Sequence, residues 1–177
     1  AACIMYGAGL RLMECLRLRV KDVDLDNLTL TVHDTKSNRD RVTFLPSEET
    51  FLNRLREHIN GLRRRYEANP GLPVSMPPAF ARKYRSAATS WEWFYLFPGR
   101  GPSVDPRTRR VALHHMDESN IQRAIAAAAG RAAIRKRVTA HTLRAAFARR
   151  MAESGASTTD LQSLMGHADP KTTAHYL

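Results

Sequence analysis

Six polar residues of this chain can do chemistry if the fold gathers them. Arg11 follows Gly9-Leu10, Lys36 lies in a polar interval between two alternating apolar runs, and His141 and Arg144 form a His-x-x-Arg word. Gly166-His167 closes an apolar stretch, and Tyr176 follows nine residues after His167. Two guanidiniums, two imidazoles, an amine and a phenol make a cationic donor set with one nucleophile. Displacement at a phosphodiester calls for such a set, because it puts extra negative charge on two non-bridging oxygens. Singly, each motif is weak: His-x-x-Arg usually marks surface residues, Gly-His can simply end a helix, and the terminal tyrosine can simply be exposed. As an ordered set of six, chance explains them poorly.

The order Arg, Lys, HxxR, GH, Tyr resembles the active-site series of the tyrosine site-specific recombinases. The words MYGAGLR, HTLR and LMGHADPKTT stand where that family carries its signatures. Within the family, RLRVKDVDLD, WEWFYLFPGR and RRVALHHMDESNIQRAI are similar to integron integrases, and the proline-flanked stretch 78–88 is similar to their additional helix. The resemblance implies a mixed α+β fold, mainly helical with a small antiparallel sheet. It implies cleavage and rejoining of DNA through a 3′-phosphotyrosyl intermediate that keeps the phosphodiester bond energy, with no metal and no ATP as cofactor. It further implies integration and excision of gene cassettes, recombination sites that include folded single strands, and a homotetramer on DNA for the full-length protein.

The residue types fit these roles physically. Arg11 and Arg144 stay charged and offer planar forks that match two phosphate oxygens, whereas lysine offers a point charge. His167 can donate a third hydrogen bond. His141 and Arg144 are spaced i, i+3, so on one helix they share a face. Tyr176 has a reference pKa near 10, so it needs a neighbouring acceptor, for which His141 is the candidate base. The leaving 5′ oxygen needs a proton, and Lys36 on a turn is the candidate general acid, set against the plain reading of a solvated turn lysine.

DNA contacts are expected from Arg82, Lys83 and Arg85 on an accessory helix, from Arg109 and Arg110 in a basic loop, and from Trp93, His114 and His115. Trp91 and Trp93 suit base stacking, worth about 1–3 kcal/mol per base, although strand tryptophans are more often core; alternation would bury one and expose the other. His114 and His115 have no carboxylate or cysteine at ligand spacing, so strand residues near DNA are favoured over a metal site. In integron integrases this neighbourhood is implicated in handling extrahelical bases.

The elements that must position these residues read as follows. A short helix lies within Leu10–Val20 after the Gly7-Ala8-Gly9 break, and a β-hairpin pairs Leu28–Val32 with Arg41–Leu45 around Lys36. A helix capped at Ser47 runs to about Tyr66 with Phe51, Leu52, Leu55, Ile59 and Leu62 on one face. Residues 70–90 form an inserted loop and accessory helix. Trp91–Phe97 reads as a strand, Gly99–Arg110 as a turn-rich loop and Val111–His115 as a returning strand. Helices are expected at Ser119–Ala129, Thr142–Ser154 and Thr159–Met165, stopped by Gly130, Gly155 and Gly166.

The chain has 177 residues, a formal net charge of +11 and 43% hydrophobic residues, which suits one domain with a polyanionic partner. No apolar run approaches the ~20 residues of a spanning helix, which favours nucleic acid over a membrane. Cys3 and Cys15 read as reduced core thiols of a cytoplasmic, bacterial protein, nucleoid-associated when on DNA. The abrupt apolar start reads as a cut through a longer protein. An N-terminal DNA-clamping domain and a C-terminal exchange helix are expected to be missing, leaving weak DNA binding, a monomer in solution and a loosely held Tyr176. Two other readings stay open: a catalytically silent DNA-binding remnant, and a type IB topoisomerase-like enzyme that shares the chemistry without the words around GHADPKTT.

Overall fold

In the first helix, α1 (Ala2–Ala8), Ile4, Met5 and Ala8 are buried at i, i+1 and i+4 spacing, the width of one helical face. The computed structural model describes residues 1–33, 40–105 and 109–166. Lys36, His167 and Tyr176 lie outside the described residues, as does the side chain of Arg85. The chain is mainly helical with two small antiparallel sheets, which agrees with the expected fold class. After α1 come α2 (Leu12–Arg17), β1 (Val23–Asp24), β2 (Thr29–Val32), β3 (Arg41–Phe44), α3 (Glu49–Glu67) and α4 (Pro78–Lys83). Then follow β4 (Pro98–Val104), β5 (Val111–His115), α5 (Glu118–Arg131), α6 (Ala140–Glu153) and α7 (Thr158–Met165).

The first sheet runs β1-β2-β3, with Thr29 opposite Phe44 and Val32 opposite Arg41, the expected hairpin with one added strand. Its pattern is inverted on β3. Thr43 is buried and donates its hydroxyl to the Ala8 carbonyl at 3.1 Å, while Val42 and Phe44 face outward. The polar side of β3 therefore faces the core.

The second sheet corrects the expected strand at Trp91–Phe97. Trp91–Trp93 is a turn of 3-10 helix, Phe94–Phe97 is buried on every side, and the strand is Pro98–Val104, where a loop was expected. Residues buried all round leave no alternation to read, and a bulge between Pro98 and Pro102 lets this Gly- and Pro-containing stretch pair with β5. Trp91 and Trp93 are both half-buried rather than one in and one out.

Other boundaries shift for local reasons. The helix expected over Leu10–Val20 holds only at Leu12–Arg17, and α3 is capped at Glu48 rather than Ser47, with no side-chain cap bond. Gly130 lies inside α5, and the reversal falls at Ala133, φ 54°. Cys3 is exposed because it sits off the buried face of α1, so of the two cysteines only Cys15 is a core thiol. The inserted region joins the second sheet: Ser75 donates its amide to the Leu113 carbonyl at 2.9 Å, and Leu113 returns one to Pro73 at 2.8 Å.

Packing of α1 on α6 sets the geometry before Arg11. Gly9 caps α1 at φ 68°, and a Cβ there would lie 2.4 Å from the Phe147 ring of α6. Gly9→Ala is expected to lower unfolding free energy by about 2–4 kcal/mol, from left-handed strain and overpacking together. Gly101→Ala, with nothing within 4 Å of the added methyl, is the matched control for the denaturation midpoint.

Candidate active site

The C-terminal end of α7 brings the site together. A helix end leaves carbonyls without partners and carries the negative pole of the helix dipole, so it attracts cationic donors. Here three arginines from three remote segments each take one of three consecutive carbonyls. Arg41 Nε donates to Leu164 at 2.9 Å, Arg144 Nη2 to Met165 at 2.7 Å, and Arg11 Nη2 to Gly166 at 3.0 Å. Gly166 turns the chain at φ 63°, and a Cβ there would lie 2.9 Å from Arg41 Nη1. The next residue in sequence is His167.

A single carboxylate ties the same three arginines. Glu14, on the first turn of α2, accepts from the Arg11 backbone amide at 2.8 Å and from Arg11 Nη1 at 2.7 Å. Arg41 grips it with both Nη atoms, at 3.0 and 2.7 Å, and Arg144 Nη1 stands 3.7 Å from Oε2. Burial pulls the Glu14 carboxyl upward, but the hydrogen bonds and charges of Arg41 and Arg11 outweigh it and hold the group below its ordinary value. Among the described residues, three guanidiniums against one carboxylate leave a net positive cluster, a ready site for an anion.

The arginines differ in access. Arg144 is 3% exposed and also bonds the Gly9 carbonyl at 2.6 Å, so α6 is anchored to the turn before Arg11. Arg11 keeps 43% of its side chain in solvent and is the open edge of the cluster. His141 is exposed on the first turn of α6, just before Arg144, where Thr139 caps the helix by accepting the Thr142 amide. The structure thus brings Arg11 and Arg144 together and sets His141 on the same helix as Arg144. Glu14 and Arg41 complete the cluster and were not among the sequence candidates. Arg11-x-x-Glu14 did carry a helix-start spacing, whereas Arg41 and its partners are too far apart in sequence to signal one another.

Two of the expected DNA-contact residues, Arg82 and Arg110, meet at a second place. Arg82 and Lys83 are exposed on α4, Arg109 and Arg110 are exposed before β5, and Arg82 and Arg110 line one cleft of ≈ 700 Å³. Trp93 is half-buried, with the Phe80 ring tilted against it at 4.6 Å and Lys21 Nζ 4.5 Å from its ring centre. His115 donates Nδ1–H to the Met116 carbonyl at 2.9 Å and packs edge-on to Tyr95, and His114 is half-buried.

At the base of the hairpin, His33 bridges two carboxylates, with Nε2 3.1 Å from Asp22 and Nδ1 2.8 Å from Asp40. The Asp22 hydrogen bond, opposed by burial, raises the His33 pKa, with Asp40 adding to the rise and Lys21 subtracting from it. No helix among the described residues is long and apolar enough to cross a membrane.

An integrase/recombinase of Escherichia coli is 40% identical over 178 residues, 99% of this chain and 52% of that protein, and one of Pseudomonas aeruginosa gives the same figures. The crystal structure of XerA recombinase matches with a TM-score of 0.67 at 25% identity, over 98% of this chain and 50% of that one. XerH site-specific recombinase bound to palindromic difH substrate, a post-cleavage complex, shares the fold at 18% identity and a TM-score of 0.65, over 99% of this chain and 40% of that one. The chain thus spans about half the length of these relatives.

Two outcomes are expected from this geometry. Glu14→Ala leaves Arg41 and Arg144 buried without their counter-charge and should cost about 3–5 kcal/mol in denaturant unfolding. Because the folded carboxyl lies below the ordinary 4.5, its contribution is complete above that value and is lost as pH falls through the folded value, a decline the variant should lack. For His33 the sign is opposite: stabilisation is complete below 6.5 and fades as pH rises through the raised folded value. Denaturation midpoints followed upward from about pH 6 should fall less steeply in His33→Gln than in the parent.

Residues 1–177 match the phage integrase family over the whole chain, and the chain therefore belongs to that family, the tyrosine recombinases.

Proposed function

We propose that this chain is the strand-cleaving domain of a site-specific DNA recombinase of the integron integrase type. The observation that carries the reading is the arginine cluster at the end of α7: Arg11 and Arg144 hydrogen-bond adjacent carbonyls beside one shared carboxylate, and the sequence continues directly into His167. An anion at that place meets two forked donors in a partly dry setting, where such donors are worth most.

In this reading the Tyr176 hydroxyl gives its proton to His141 and its oxygen attacks the scissile phosphorus. Arg11, Arg144 and His167 stabilise the charge on the non-bridging oxygens. The bond from phosphorus to the 5′ oxygen breaks, and Lys36 protonates that leaving oxygen. The product is a 3′-phosphotyrosyl linkage and a free 5′ hydroxyl. A second 5′ hydroxyl reverses the sequence, so the bond energy is conserved and the cycle calls for neither metal nor nucleotide cofactor. The net charge of +11 and the exposed Arg82, Lys83, Arg109 and Arg110 support a DNA partner. Support for the integron type comes from the inserted α4 and from the resemblance in WEWFYLFPGR; cassette integration and excision on a homotetramer, with folded single strands among the substrates, belong to the same proposal.

The test is covalent trapping by the full-length protein on pools of nicked duplex and of folded single-stranded DNA with randomised sequence. A protein–DNA adduct that survives denaturation is expected, absent in Tyr176→Phe and reduced by about 10²–10³-fold in Arg144→Ala. DNA binding with no Tyr176-dependent adduct in either pool would mean a silent binding remnant instead.

A further inference from the structure

Arg41 lies at the start of β3, and its guanidinium bonds within the arginine cluster. Its guanidinium spends its three nitrogens on two targets: Nη1 and Nη2 fork onto both oxygens of Glu14, and Nε holds the Leu164 carbonyl of α7. Its side chain is 10% exposed and that of Glu14 is 9% exposed, so this is a mostly buried, bidentate pair.

The geometry of Glu14 shows what the pair does. Each carboxylate oxygen has two close donors, Oε1 from the side chains of Arg11 and Arg41, and Oε2 from the Arg11 amide and Arg41. Arg144 Nη1 stands farther off, 3.7 Å from Oε2. Without Arg41, Oε2 keeps only the Arg11 amide, and the nearby guanidinium left to attract it is Arg144. A carboxylate closing on Arg144 would compete with phosphate for the same donor and weaken the charge available to it.

We infer that Arg41 is a positioning residue for strand cleavage: by forking Glu14 against Arg11 it keeps that carboxylate at ion-pair distance from Arg144, 3.7 Å, rather than hydrogen-bonded to it, and it ties β3 to the end of α7. The inference rests on the proposed cleavage function. It predicts a defect in the chemical step that works through Glu14 and not through DNA affinity.

Single-turnover cleavage by the full-length protein, at saturating nicked DNA selected from the randomised pool, reads this out. Arg41→Met should slow cleavage on the order of 30-fold or more, since misplacement of donors acts on the reacting geometry, with DNA affinity within about threefold of the parent. Arg41→Lys keeps a charge but not the fork, and should fall between the two. In a Glu14→Gln background, where residue 14 carries no charge to compete for Arg144, Arg41→Met should cost less than about threefold. Equal losses in both backgrounds, a loss matched by lost DNA affinity, or parent-like cleavage would each overturn the inference. If Arg41→Met does not fold, Arg41→Lys decides: parent-like cleavage overturns the inference, and slowed cleavage at an unchanged melting midpoint supports it. An unaltered protein that forms no Tyr176 adduct would instead sink the functional reading itself.

Discussion

The Glu14 carboxylate, shared by three arginines, is the interaction on which the rest of the structure depends. A buried carboxylate is costly unless paired and hydrogen-bonded, and the arginines around it repel one another without it. Each arginine comes from a different part of the chain: Arg11 from the start of α2, Arg41 from β3 and Arg144 from α6. Fixing their charges at one point therefore fixes the relative placement of a helix start, a strand and a later helix. Each also donates to one of the last carbonyls of α7, which fills the open end of that helix.

In the proposed function this arrangement serves both stability and chemistry. Among the described residues no buried side-chain nitrogen or oxygen lacks a hydrogen-bond partner, so the cluster sits in the fold without an unmet polar group. Backbone carbonyl dipoles help to hold its excess of positive charge. Dipoles of carbonyls hold guanidiniums in place without neutralising them, which preserves the field that a phosphate would meet. The hydrophobic contacts around it act as scaffold: Phe147 against Gly9 sets the α1–α6 approach, and Met165 and Leu161, both fully buried, set α7.

Much of this was legible in the residue order. The Lys36 hairpin, α3 with its Leu52, Leu55 and Leu62 face, and the three last helices follow from periodicity and caps, and Arg11 and Arg144 stood out through their motifs. Three features were hidden for physical reasons. Phe94–Phe97 is buried on all sides, so it has no alternation, and the real strand begins in a Pro- and Gly-containing stretch. On β3 the polar residues point inward and Val42 and Phe44 outward, so the strand's alternation carried no sign that Arg41 forks a buried carboxylate. Glu14 carried no signal beyond its helix-start spacing to Arg11, because its partners at positions 41 and 144 are distant in sequence.

The central claim is that the end of α7 is where the scissile phosphate binds. A structure of the full-length protein covalently trapped on nicked DNA tests it most directly. The account predicts the phosphotyrosyl oxygens within about 3 Å of guanidinium nitrogens of both Arg11 and Arg144, with Glu14 still forked by Arg41. A phosphate bound elsewhere, with Arg144 still spent on Glu14 and backbone carbonyls alone, would contradict it.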